Sequence, residues 1–87
     1  MRTLLLVALL VASPLVLAKI ECSTADKVQW QDEDNFQQDL KNQGYEIKKF
    51  KVTDGNCYEI YGKNKEGKKV EIYFDPVTGK KVKEEID

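Results

Sequence analysis

Histidine is absent from this 87-residue chain, and the only arginine is Arg2. Without an imidazole, no nucleophile can be paired with a neighbouring base of the usual kind: serine beyond the leader is confined to Ser23, and the two cysteines are better used together. Zinc is excluded on similar grounds, because two sulfurs alone do not close a structural site. Cys22 and Cys57 lack the Cys-x-x-Cys spacing of redox proteins. Proline is limited to Pro14 and Pro76, tryptophan to Trp30, and no internal repeat or low-complexity segment is evident. The sequence predicts a protein that is not an enzyme, with no catalytic residues, metal ligands or cofactor.

What is present begins with a leader. Arg2 precedes an apolar run from Leu4 to Ala12, and Val16-Leu17-Ala18 offers modest side chains to signal peptidase. Residues 1–18 are predicted to be a signal peptide. Ser13 and Pro14 interrupt the run short of the roughly 20 residues that a spanning helix needs, so no stable membrane anchor is expected after cleavage. Lys19-Ile20-Glu21 ahead of Cys22 is unlike a lipoprotein processing site. The expected location is the periplasm or the outside of a bacterial cell. In such an oxidising compartment an even cysteine count favours a Cys22–Cys57 disulfide.

The remaining 69 residues make one small domain, with 13 lysines against 15 acids. Their signs are unevenly spread. Residues 19–40 carry two lysines against six acids, residues 41–83 eleven against six, and three more acids lie among the last four positions. Lysines so mixed with acids on an exported chain read as a solubilising surface, and no nucleic-acid partner is expected.

Residues 19–29 show no period and read as an extended lead-in tied down by Cys22. Trp30 then stands as a core plug ahead of a helix. Asp32 is a suitable N-cap, Glu33 and Asp34 put negative charge in the first turn, Phe36 and Leu40 share a face, and Gly44 suits the left-handed position after the last turn. The spacing predicts a helix over 33–43. Its acidic start lacks the Asp-x-Asp-x-Asp-Gly spacing of a calcium loop.

Three strands follow. In residues 45–53, Tyr45 and Ile47 share one parity and Phe50 and Val52 the other, so a bulge near Lys48-Lys49 is needed to bring all four to one face. Turn chemistry at residues 53–56 leads into a second strand over residues 57–62, and Asn64-Lys65-Glu66-Gly67 closes the next hairpin. In the third strand Val70, Ile72 and Phe74 alternate with Lys69, Glu71 and Tyr73. That register sets Ile60 beside Ile72 and Tyr58 beside Phe74 inside, with Glu59 beside Tyr73 and Tyr61 beside Glu71 outside. Asp75-Pro76-Val77-Thr78-Gly79 turns the chain. Residues 80–86 add a short fourth strand carrying Val82, whose register the turn does not fix. The fold class is therefore α+β: one N-terminal helix packed on one face of a three- to four-stranded antiparallel meander sheet.

Taken in order, these residues resemble small exported PepSY-domain proteins. The resemblance runs from Trp30 to Val82 and rests on Trp30 before a short helix, Gly44-Tyr45-Glu46-Ile47 at the helix-to-strand junction, and Cys57-Tyr58-Glu59-Ile60. It continues through residues 67–74 and the turn at residues 75–79. It implies a PepSY-like domain over residues 30–87, non-catalytic, with inhibition or regulation of a peptidase as the role often proposed.

The predicted contact surface is the face that the helix leaves open. Tyr61 and Tyr73, flanked by Glu59, Lys69 and Glu71, are expected to be exposed there and to meet a protein or peptide partner. Cross-strand pairing that merely stabilises the sheet is the bland reading of the same residues. An open sheet edge offers a second route, by strand addition. The alternative function is an envelope accessory protein that sequesters a small ligand or cation through Glu59, Glu71 and the acidic helix start.

Overall fold

The computed structural model describes residues 19–87. The predicted signal peptide lies outside the described residues. A 3₁₀ turn, Lys27–Gln29, leads into helix α1 (Glu33–Asn42), and four strands follow: β1 (Glu46–Val52), β2 (Tyr58–Lys63), β3 (Lys69–Phe74) and β4 (Lys81–Ile86). They form one antiparallel sheet in the order β1-β2-β3-β4. The predicted α+β architecture is the observed one, with the helix ahead of all four strands in the chain.

Both ends of α1 follow from local chemistry. The Asp32 carboxylate accepts from the Asn35 N–H at 3.0 Å, satisfying one of the donors left over in the first turn. At the other end Gly44 takes φ 104°, the Gly44 N–H donates to Lys41 O, and the Tyr45 N–H reaches back to Leu40 O. This is the glycine-closed terminus that lets the chain reverse directly into β1.

Phe36 and Leu40 are the buried residues of the helix, and they sit on Tyr58, Ile60, Val70, Ile72 and Phe74 of the sheet. Ile47 and Phe50 reach the same cluster because the ladder shifts between Ile47 and Lys49, the bulge that their parity required. Trp30 packs edge-on against Tyr58 with ring centroids 5.6 Å apart, and its indole N–H donates to Ala25 O. The β2–β3 register is the predicted one at every pair.

Gln31 ties the approach to the helix onto the far turn. Its backbone N–H donates to Pro76 O at 2.8 Å and its side chain to Val77 O, while its own carbonyl accepts from the Tyr58 hydroxyl at 2.6 Å. No sequence pattern announced this knot, which depends on backbone groups far apart in the chain. The helix covers the β1–β3 part of the sheet and leaves β4 bare, so every residue of β4, Val82 included, is exposed.

The lead-in is held by Cys22–Cys57, whose Cα atoms are 5.0 Å apart, by the Cys22 N–H donating to Gly55 O, and by the Asn56 amide donating to Ser23 O. Asn56, at φ 62°, takes the left-handed position of this turn. Gly55 serves a different need, since a Cβ there would collide with the Ile20 carbonyl as the lead-in passes over it. Gly62 is constrained in the same way by Glu46 O across the β1–β2 ladder.

Two expected outcomes follow. Gly62→Ala should destabilise the fold by about 3 kcal/mol, because backbone rather than a flexible side chain must yield; Gly67→Ala, where a Cβ meets nothing, isolates the cost of its positive φ. Urea denaturation checks the pair, and equal losses would show that the close approach at Gly62 does not matter. Removing the disulfide with paired Cys22→Ser and Cys57→Ser changes releases a 35-residue loop and should cost about 4 kcal/mol on the chain-entropy account, as read by the same titration.

Candidate functional site

Alternation along β2 and β3 places Glu59, Tyr61, Lys69, Glu71 and Tyr73 on the face away from the helix. The ladder sets Glu59 opposite Tyr73 and Tyr61 opposite Glu71, as the sequence required. The Tyr73 hydroxyl donates to Glu71 Oε2 at 3.1 Å. From β1, Lys49 Nζ lies 5.9 Å from the Tyr61 ring centre and Lys51 Nζ 3.9 Å from Glu59 Oε1. On the β4 side Lys83 pairs with Glu85 at 3.2 Å.

The expectation of a uniformly solvated face needs correction. Tyr61 is 37% exposed and Lys69 is exposed, whereas Tyr73 and Glu71 are half-buried and Glu59 is only 1% exposed. Alternation in the sequence puts Glu59 on the correct face but carries no information on how closely its neighbours crowd over it. Tyrosines beside it on the ladder were the available signal, since large rings can roof a shorter side chain between them.

Burial raises the Glu59 pKa above the ordinary 4.5, and Glu71 raises it further as a hydrogen-bonding neighbour and as a like charge. Tyr61 and Lys51 offset part of this. Glu59 Oε2 faces no donor. A buried carboxyl with one oxygen unsatisfied and a second carboxyl as neighbour favours the neutral form of Glu59, against the pull of Lys51 on its other oxygen. Glu71 accordingly moves down, through its interaction with Glu59 first, against its own partial burial and with help from Tyr61, Tyr73 and Lys83. Ionisation of Tyr61 is pushed up, mainly by its hydrogen-bonding interaction with Glu59, and that of Tyr73 is pushed up to about 12, mainly by burial and then by the Glu59 charge.

Beside this pair lies an open groove of about 690 Å³. Tyr61, Lys69 and Glu71 line it together with Lys48, Lys63, Glu85 and Asp87. Of the five candidate residues, the structure therefore brings three into the groove and leaves Glu59 and Tyr73 beside it as supports. The lysines and the acids give the groove charges of both signs. Among the described residues no group of three or more acids or cysteines is gathered as a metal ion would require, and no helix is long and apolar enough to cross a membrane.

One capped helix on a bulged meander sheet, with a polar and aromatic open face, defines a small two-layer α+β module. The family model described as peptidase propeptide and YPEB domain matches residues 2–85, nearly the whole chain, and the protein belongs to that family. Domains of this kind are generally non-catalytic propeptide or regulatory modules. Together with the disulfide, that membership suggests an extracellular or periplasmic protein. No curated protein and no solved structure matches.

The carboxyl pair predicts a pH dependence. Because the folded pKa of Glu59 is raised, its stabilising contribution is complete below about 4.5 and is lost as pH rises through the folded value. Glu71, whose pKa is lowered, contributes above about 4.5 and loses that contribution as pH falls through its folded value. Glu59→Gln removes the ionisation at nearly constant side-chain shape. It should flatten the decline on the alkaline side and leave the variant about 1–2 kcal/mol more stable than the parent at pH 8. Urea titrations at pH 5 and pH 8 test this, and equal slopes for parent and variant would refute it.

Proposed function

We propose that this protein is an exported, non-enzymatic binding module that regulates a peptidase of the bacterial envelope by seating a peptide segment in the groove beside Tyr61. The observation that carries the reading is the one-sided sheet: its apolar face is used by the helix, while its second face presents an exposed tyrosine in a groove with charges of both signs. Tyrosine is favoured at contact surfaces because it offers a large rigid area and a polar tip at small entropic cost. Membership of a family named for peptidase propeptides supports a peptidase as the target. The Glu59–Glu71 pair and Tyr73 serve this surface by holding the strands beside it in one arrangement.

Envelope extract assayed on a general peptidase substrate with added purified protein tests the proposal. The parent should lower the cleavage rate, and Tyr61→Ala or Lys69→Glu should weaken that inhibition about tenfold or more, in the range for truncating an interface anchor. Val28→Ser, at an exposed lead-in position outside the groove, should inhibit as the parent does. Inhibition unchanged by either groove substitution would overturn the assignment.

A further inference from the structure

The outer edge of β4 carries a segregated arrangement of charge, and two of its residues, Glu85 and Asp87, also line the groove described above. Among the described residues β4 pairs with β3 alone, so its other side presents backbone groups without a strand partner there. Which groups these are follows from the ladder. The Asp87 N–H donates to Lys69 O at 2.9 Å, and hydrogen-bonding pairs alternate along an antiparallel ladder. With Glu71 opposite Glu85 and Tyr73 opposite Lys83, residues 83, 85 and 87 point their backbone groups at β3, while Glu84 and Ile86 point theirs outward. Beside them Val82 and Ile86 are 47% and 53% exposed.

Charge along this edge is segregated. Lys81 and Lys83 come first, and Glu84, Glu85 and Asp87 follow. A strand of this polarity opposes like charges when laid parallel to itself and opposite charges when laid antiparallel. The other edge of the sheet differs: Lys48, Lys49 and Lys51 give β1 an excess of one sign, and the bulge interrupts it, so two copies of β1 repel.

We propose that a second copy of this chain is the partner of β4, joined edge to edge in antiparallel fashion about a two-fold axis at Glu84. In that register Lys83 of each copy lies opposite Glu85 of the other, both on the face away from the helix, while Lys81, beyond the shift at Val82, stays with its own chain. Glu84 meets its own equivalent, and each Glu84 is already neutralised by Lys81 at 3.2 Å within its own chain. The interface is isologous and closes at two copies, giving a continuous eight-stranded sheet. One strand pair buries well under the roughly 1,200 Å² of a stable complex, so the dimer is weak and forms at high concentration.

Sedimentation equilibrium of the purified chain, from micromolar to about 1 mM, is the test, with dimers expected at the upper end. Lys83→Glu and Glu85→Lys should each raise the dissociation constant about tenfold, because two symmetry-related attractive pairs become repulsive. The double swap should restore it. Glu84→Pro removes an outward N–H without touching the β3–β4 ladder and should abolish the dimer while circular dichroism stays that of the parent. A chain monomeric throughout, a double swap as weak as its single variants, or growth beyond two copies would each overturn the proposal, the last by indicating β1-to-β4 stacking instead.

Discussion

The Phe36 ring is the contact on which the two layers depend. It lies 5.0 Å from Tyr58, 5.1 Å from Phe74 and 6.3 Å from Phe50, measured between ring centres, and so touches three strands from a single helical position. A helix of ten residues with two buried side chains has little stability of its own. Its persistence comes from what Phe36 and Leu40 remove from water together with the sheet. The bulge in β1 serves the same end, since without the shift between Ile47 and Lys49 the Phe50 ring would point to the other face.

Much of this was legible beforehand because each device is local. The Asp32 cap, the glycine after the helix, the parity break in β1 and the β2–β3 register are all decided by residues within a few positions of one another. What escaped is non-local. The Gln31 knot joins backbone groups of the helix approach to Pro76 and Tyr58, and the β4 register is set with Val82 as an extra residue opposite the step from Tyr73 to Phe74. Gly55 reads as a turn glycine, yet the left-handed residue of that turn is Asn56 and the glycine is there to admit the Ile20 carbonyl. At the candidate site, which residues share a face was legible from period two alone. Burial of Glu59 was not, because it depends on the rings and the lysine that close over it from neighbouring strands.

The two faces of the sheet are thus stabilised by different physics. Inside, non-directional apolar burial fixes the layers. Outside, the Tyr73 hydroxyl on Glu71 and the lysines beside Glu59 and Tyr61 hold side chains by direction and charge. Among the described residues no second layer covers that outer face, whose side chains are ordered by one another instead.

Strand order bears on how the chain reaches this state. Every strand pairs with its immediate neighbour in the chain, so the sheet assembles through three short hairpin closures, each with a small entropic barrier. The helix precedes the strands, and Phe36 meets its full surface only when β1, β2 and β3 are all in place. The ring that joins the layers thus draws its contacts from two successive hairpins, and the helix is fully seated only when both have closed.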